Sequence, residues 1–157
     1  MTKTKSHLLA KILGACVVIL ISLSVLFAIS IPIVNNCIAD GVEDRLLSLP
    51  LPEGAELVDS LSIAAKVSGN GNGMQYFGAI LIKSDLPIEE VDEHYANFRN
   101  GGAEDCRVRL QEGKRIEFLD LRRPEFNAEM SEDEQYYVIS AWGDGIGIYE
   151  ELDLRGH

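Results

Sequence analysis

Cysteine and histidine are both scarce in this sequence, with three of each among 157 residues. Cys16 lies in a long apolar run, Cys37 follows that run, and Cys106 stands alone in the rest of the chain. The C-terminal part therefore has no cysteine pair for an internal disulfide, and a zinc site built from Cys and His is disfavoured. Cys106 alternates with apolar residues, which predicts a buried, unreactive thiol. A bridge between two copies through Cys37 would make the protein a homodimer.

Charged side chains are absent between Lys11 and Asp40. Residues 12–34 form an apolar run of 23 positions, which as a helix would reach about 35 Å. A hydrocarbon core of about 30 Å can be crossed by a helix of that length with some tilt. The sequence therefore predicts a transmembrane signal-anchor helix over residues 12–34, with the lipid bilayer as its partner.

The flanks of this span differ in charge. Three lysines, at positions 3, 5 and 11, precede it, whereas Arg45 is the only basic residue in the first fifteen positions after it. Cytoplasmic flanks are enriched in Lys and Arg. Residues 1–11 are thus predicted to be a cytoplasmic basic tail. The protein is expected to be a single-pass protein of the cell membrane, with its C-terminal domain outside.

Two processing alternatives compete with a retained anchor. The residues Cys37-Ile38-Ala39 fit a signal-peptide cleavage site, which would release a secreted domain beginning at Asp40. The apolar run is longer than a typical signal peptide requires, so the retained anchor is favoured. Leu13-Gly14-Ala15-Cys16 has the letters of a lipid-attachment site, but most of the apolar segment follows Cys16 instead of preceding it.

The part of the chain after the span is strongly acidic. It carries all 25 Asp and Glu residues and 11 of the 14 Lys and Arg residues, a net charge of −14. Such a surface repels the phosphates of nucleic acids, so no nucleic-acid partner is expected. The 123 residues after the span are the size of one ordinary domain.

Residues 35–54 are predicted to be a juxtamembrane connector, and residues 55–157 an extracytoplasmic α+β domain. A brief amphipathic turn fits Val42–Leu47, and Pro50 and Pro52 favour an extended path. The predicted fold is a mostly antiparallel sheet of four or five strands with one packed helix. Strands are expected from Glu56 to Ala65, at Tyr76–Ile82, at Cys106–Leu110, at Ile116–Phe118 and at Tyr136–Trp142.

Glycine and a helix pattern separate these strands. Gly69-Asn70-Gly71-Asn72-Gly73 predicts a hairpin turn, and a second hairpin is expected to join the strands at Cys106–Leu110 and Ile116–Phe118. Tyr76–Ile82 is apolar on both faces, as a central strand covered on each side would be. Pro87–Arg99 is predicted to be a helix that ends at Asn100–Gly102. Its packing face combines Ile88, Val91, Tyr95 and Phe98.

No residue constellation specifies a chemistry, and no catalytic, cofactor-binding or metal-binding residue is assigned. His94 is interpreted as a surface histidine on an acidic helix, and His157 is terminal. The acidic run Glu129–Glu134 and Asp144 offer oxygen ligands, but the regular calcium loop is absent. Trp142 and the pair Tyr136/Tyr137 are interpreted as core residues of an aromatic strand.

Several stretches taken together resemble small bacterial single-pass membrane proteins. They are the basic N-terminus and span, the connector with Pro50 and Pro52, residues 69–84, and the ending Glu150–His157. The resemblance covers most of the chain and implies a bacterial cell-envelope setting with an extracytoplasmic α+β domain. Families of this kind have no assigned activity, so the resemblance implies no catalytic residue.

The functional hypothesis is a membrane-anchored domain that binds a protein or an envelope component without catalysis. An anchored hydrolase is the alternative. It would use acidic residues near the glycine-rich loops Gly69–Gly73 and Gly143–Gly147, and it requires that these loops converge with Asp144 in a pocket.

Overall fold

The elements of the chain begin with one very long helix. The computed structural model describes residues 2–70, 73–99 and 106–157, without the side chains of residues 2–10, 97 and 99. In chain order the elements are α1 (Thr2–Leu47), β1 (Glu56–Ala65), β2 (Gln75–Lys83), α2 (Ile88–Arg99), β3 (Arg107–Leu110), β4 (Tyr136–Gly143), α3 (Gly147–Leu152) and a 3₁₀ turn (Leu154–Gly156). The helix end predicted at Asn100–Gly102 lies outside the described residues, as do Gly71 and Asn72 of the predicted turn.

The four strands form one antiparallel sheet in the order β1-β2-β4-β3. β1 and β2 are consecutive antiparallel neighbours, joined by the loop that contains the predicted glycine-rich turn. β2 pairs along its length with β4, with Phe77 opposite Trp142. The predicted α+β fold with a mostly antiparallel sheet is confirmed, and the sheet has four strands.

Both faces of the sheet are covered. One face packs against α2 and the C-terminal third of α1, and the other packs against the long segment between β3 and β4. Alternate residues of β2 therefore enter two separate cores, as predicted for a central strand. The first core contains Tyr76, Ile80, Ile82, Val91, Tyr95 and Cys106, and the second contains Phe77, Ala79, Leu81, Ile116, Leu119 and Phe126.

Helix α1 passes without interruption from the apolar run into the first core. Residues 35–47 were expected in a connector, but they are helical, and one face of this part of α1 is buried against the sheet. Burial follows a spacing of three and four residues, which keeps one helical face toward the sheet. The amphipathic turn predicted at Val42–Leu47 is thus the end of a longer helix, and residues 35–47 contribute a core element. The buried positions are Ile31, Asn35, Ala39, Val42 and Leu46.

Gly78 sets how closely α1 approaches β2. A Cβ atom at this position would lie 2.6 Å from the backbone nitrogen of Glu43 and 2.9 Å from the carbonyl carbon of Val42. Glycine inside a strand is typical of a close backbone approach. Because the neighbouring atoms belong to the helix backbone, no side-chain rotation would make room for a larger residue.

The hairpin predicted after β3 is wrong. Residues 116–118 are not a strand, and β3 pairs with β4, placing Val108 opposite Ile139. The segment after β3 instead forms an isolated bridge between Arg115 and Glu125, which is unrelated to the expected hairpin. Ile116 is buried in the second core, so its apolar character serves loop packing rather than strand pairing.

Helix α2 has the predicted packing face. Val91 and Tyr95 are fully buried, and Ile88 and Phe98 pack against the same core from partly exposed positions. Cys106 is also fully buried there, as predicted for an apolar thiol.

The C-terminal residues, for which the sequence predicts no helix or strand, pack against α1. Helix α3 and the following 3₁₀ turn lie beside the part of α1 where exposure ends and burial begins, since Tyr149 contacts Phe27 with ring centroids 5.9 Å apart. The C-terminal third of α1 thus packs against the sheet, and the C-terminal segment packs beside it.

Candidate functional site

A buried polar cluster joins α1, β2 and the C-terminal segment. The Asn35 side-chain amide donates to the carbonyl oxygen of Tyr149 and to Oδ2 of Asp153, at 2.8 Å each. Its Oδ1 accepts a 2.8 Å hydrogen bond from the Tyr76 hydroxyl. Asn35, Tyr76 and Asp153 are at most 5% exposed. We call these residues, together with Arg155, the polar cluster.

Arg155 completes the cluster from its more exposed side. Its Nε donates to Oδ1 of Asp153 at 3.0 Å and its Nη2 to Oδ2 at 2.7 Å, a two-point contact with the carboxylate. The same guanidinium donates to Oδ1 of Asn36 at 2.8 Å. It also reaches the Pro32 carbonyl at 3.4 Å. Arg155 therefore ties the end of the chain to two consecutive turns of α1.

The electrostatics of the cluster favour an ionised Asp153. Hydrogen bonds from Arg155, and in smaller part from Asn35, hold the pKa of the Asp153 carboxyl well below its usual range. The hydrogen bond to Asp153 raises the pKa of Arg155. Burial raises the pKa of the Tyr76 hydroxyl, with the charges of Glu150 and Asp153 adding to the effect. The cluster pairs a buried carboxylate with a partly exposed guanidinium, and its hydrogen bonds connect α1, β2 and the C-terminal segment.

A shallow crevice lies where the two glycine-rich loops meet. Gly73 and Gly147 line a space of about 280 Å³ together with Glu150, Glu151 and His157. One glycine of each loop lines this space, but Asp144, which the hydrolase alternative also requires, does not. His157 is engaged through Nε2 with the carbonyl oxygen of Glu151 at 3.1 Å, and this carbonyl can only accept.

A second open groove, of about 300 Å³, lies at the β3 edge of the sheet. The Arg109 guanidinium sits 4.2 Å from the ring centroid of Phe118, a cation–π contact. Leu110 is half exposed beside it, and Gln111 is held by hydrogen bonds to the carbonyl oxygens of Gly113 and Arg115. This groove combines apolar surface with charges of both signs, since Glu112 and Glu117 line it together with Arg109 and Arg115.

His94 has a structural contact. Its Nε2 lies 2.8 Å from the carbonyl oxygen of Pro50, so this nitrogen carries the proton. The ring also packs edge-on against Tyr95 and tilts toward Phe98. His94 is therefore partly exposed, and it also connects α2 to the segment after α1.

Two of the acidic residues considered as calcium ligands, Glu129 and Glu134, contact cationic or hydroxyl groups. Glu129 pairs with Lys114 at 2.6 Å. Glu134 contacts Lys83 at 3.2 Å and accepts a 2.6 Å hydrogen bond from the Tyr136 hydroxyl. Throughout the described residues, no group of three or more His, Cys, Asp or Glu side chains is arranged to hold a metal ion.

The aromatic residues of β4 pack in the cores, as interpreted from the sequence. Tyr136 and Tyr137 are buried, and Trp142 contacts Phe77 edge-to-face with centroids 5.0 Å apart. The polar cluster, in contrast, is not predicted by the sequence patterns. Its one local signal is the asparagine pair at positions 35 and 36, directly after an apolar run.

Comparisons with protein-family profiles, with curated proteins and with solved structures yield no match to this chain.

Proposed function

We propose that this protein is a single-pass anchored protein of a bacterial cell membrane, whose outer domain binds a protein or an envelope component without catalysis. The observation that carries the proposal is the continuity of α1. One helix contains a stretch long and apolar enough to cross a membrane and then supplies core residues to the domain. Such a joint holds a binding surface at a fixed position relative to the bilayer.

The charge pattern supports the proposed orientation. Lys3, Lys5 and Lys11 precede the apolar stretch, whereas Arg45 is the only basic residue in the first fifteen positions after it. Because flanks rich in Lys and Arg favour the cytoplasm, this pattern supports an N-terminus inside and a domain outside.

The position of Ala39 supports a retained anchor over release at that residue. Ala39 is buried in the middle of a continuous helix, one turn after Asn35. A chain beginning at Asp40 would lack Asn35, leaving the buried Tyr76 hydroxyl and the Tyr149 carbonyl without their amide partner. The secreted form would therefore be a weakened domain.

The polar cluster supports a binding role over catalysis. Its carboxylate and guanidinium contact each other and α1, and Asp153 is 5% exposed. The strongly lowered pKa of Asp153 therefore accompanies a structural ion pair rather than a group poised to exchange protons with a substrate.

Topology is tested with the full chain in cells. Single cysteines are placed at Lys3 and at Glu112 in a background where the native cysteines are replaced, and intact cells are treated with a membrane-impermeant maleimide. Labelling at Glu112→Cys but not at Lys3→Cys is expected, together with a full-length membrane-bound product. The reverse pattern, or a soluble product beginning at Asp40, would overturn the proposal.

Binding is tested by photocrosslinking from the membrane-inserted full chain. A photoreactive amino acid at Leu110, in the β3 groove, is compared with one at Glu53, on the loop before β1. We expect a probe on the binding surface to give a discrete adduct that persists at physiological salt. A probe outside that surface should not give it. Absence of any discrete adduct from a scan of the exposed domain positions would count against a binding role.

The hydrolase alternative keeps one supporting observation, the meeting of Gly73 and Gly147 beside Glu150 and Glu151. It is tested by assaying the full chain against ester, glycoside and phosphate substrates, with Glu150→Gln and Glu151→Gln as paired variants. Hydrolysis that one of these changes abolishes would favour the alternative, and hydrolysis that survives both would remove it.

A further inference from the structure

The C-terminal segment lies at the level where α1 would leave a bilayer. Tyr149 of α3 contacts Phe27, and its carbonyl oxygen accepts from Asn35. Arg155 reaches the Pro32 carbonyl. The predicted span ends at Val34, so Phe27 and Pro32 lie in its last two turns. Segment 146–154 therefore lies beside the last turns of the span.

This segment also concentrates exposed apolar side chains. Among the described residues after position 34, nine large apolar side chains are exposed, and four of them fall within positions 146–154. Their exposed fractions range from 46% to 86%. Single exposed apolar residues are ordinary, whereas a local group of them is typical of an interaction surface. The four are Ile146, Ile148, Leu152 and Leu154.

The segment is two-sided. Ile148 and Leu152 are four residues apart in α3 and share a helical face. The Glu150 side chain points toward the domain. Its carboxylate lies against Gly145, and one of its oxygens is 3.8 Å from the position that a Cβ atom on Gly73 would take. In α3, one side thus carries Ile148 and Leu152, and the other faces the glycine-rich loops of the domain; Ile146 and Leu154 flank this helix as exposed side chains.

We propose that residues 146–154 form an interfacial foot that inserts Ile146, Ile148, Leu152 and Leu154 into the headgroup and upper acyl region of the outer leaflet. The inference rests on the proposed membrane anchoring. The foot continues the lipid-facing surface of α1, since both meet at the contact of Phe27 with Tyr149. With two contacts to the bilayer, the span and the foot, the domain has a fixed tilt.

The charge around the foot selects the lipid. Glu151 is exposed on α3, Asp144 precedes the foot, and Arg155, which directly follows the foot, is paired with Asp153. A basic interfacial helix would prefer anionic lipids. This acidic one is suited to zwitterionic phospholipid, and its insertion is expected to resist salt because it depends on apolar burial.

The test places a single environment-sensitive probe on the full chain in phosphatidylcholine liposomes that contain acyl-brominated lipid as quencher. Leu154→Cys carries the probe, because its 86% exposed side chain can be replaced without loss of packing. Leu20→Cys marks the span, and Leu110→Cys, half exposed on β3, is the matched domain control. All three use a background in which Cys16, Cys37 and Cys106 are replaced, and circular dichroism confirms the fold.

Quenching at Leu154→Cys and Leu20→Cys, but not at Leu110→Cys, is the expected result. Quenching at Leu20→Cys alone would overturn the foot and leave the anchor intact, whereas no quenching at either site would overturn the anchoring itself. The double change Ile148→Glu and Leu152→Glu should abolish quenching at Leu154→Cys and leave Leu20→Cys unchanged. Quenching at Leu154→Cys that requires added anionic lipid, or that disappears in high salt, would overturn the proposed lipid choice.

Discussion

Replacing Asn35 with alanine tests whether the polar cluster fastens α1 to the domain. The side chain makes three buried hydrogen bonds, to the Tyr149 carbonyl, to Asp153 and from the Tyr76 hydroxyl. A hydrogen bond to a charged group contributes about 1.5–3 kcal/mol, and each buried polar group left unsatisfied costs about 1–3 kcal/mol. Because Arg155 still holds Asp153, we expect Asn35→Ala to lower the free energy of unfolding by about 3 kcal/mol.

The assay is urea unfolding of the full chain in detergent, followed by the fluorescence of Trp142, which packs on Phe77 in the second core. With a slope of about 2 kcal/mol per molar urea, a loss of about 3 kcal/mol lowers the midpoint by about 1.5 M. Asn36→Ala is the matched control, because Asn36 accepts an exposed hydrogen bond from Arg155. Equal midpoints for the two variants would refute the reasoning.

Three further predictions concern other parts of the domain. In the same urea assay, Gly78→Ala should lower the free energy of unfolding by about 2 kcal/mol, because its Cβ would meet the α1 backbone. Gly41 lies inside α1 with open space around it, so Gly41→Ala should raise the free energy of unfolding by about 0.5–1 kcal/mol. Folding lowers the pKa of Asp153, so the Asp153 carboxylate should stabilise the fold fully above its unfolded pKa of about 3.9 and progressively less below it. In an acid titration of stability, Asp153→Asn should lack this decline. In timed maleimide labelling, the exposed Cys37 should react in the folded protein and the buried Cys106 only on unfolding; equal rates would contradict this.

Much of the sheet was predictable because its strands carry their own signals. The apolar run at Tyr76–Ile82 and the aromatic run at Tyr136–Trp142 identify two central strands from local sequence alone. Partner choice is a different problem. β3 pairs with β4 across a separation of about thirty residues instead of with the nearby Ile116–Phe118, because the second core needs that segment to cover Phe77 and Leu81.

In the C-terminal third of α1, two sequence signals conflict. Asn35, Asn36 and Asp40 end the apolar run and look like a departure into solvent. The spacing of Ala39, Val42 and Leu46 is nevertheless that of a buried helical face. Tertiary packing satisfies the polar residues, so the helix continues to Leu47.

The polar cluster could not be predicted because its members are far apart in sequence. Asn35 and Asp153 are separated by 118 positions, and their contact depends on the return of the chain after β4. Neither residue carries a local motif. The perturbed pKa of Asp153 arises only when Asn35 and Arg155 reach the same buried carboxylate.

Under the proposed anchoring, the cluster resolves a problem created by the long helix. A helix that passes from lipid into a protein core must not leave polar groups unpaired at the boundary, where water is scarce. At this boundary the Asn35 side-chain amide is fully used by Tyr149, Asp153 and Tyr76. The C-terminal segment and β2 therefore supply the partners that this side chain needs beside the span. That requirement explains why the end of the chain folds back onto its first helix.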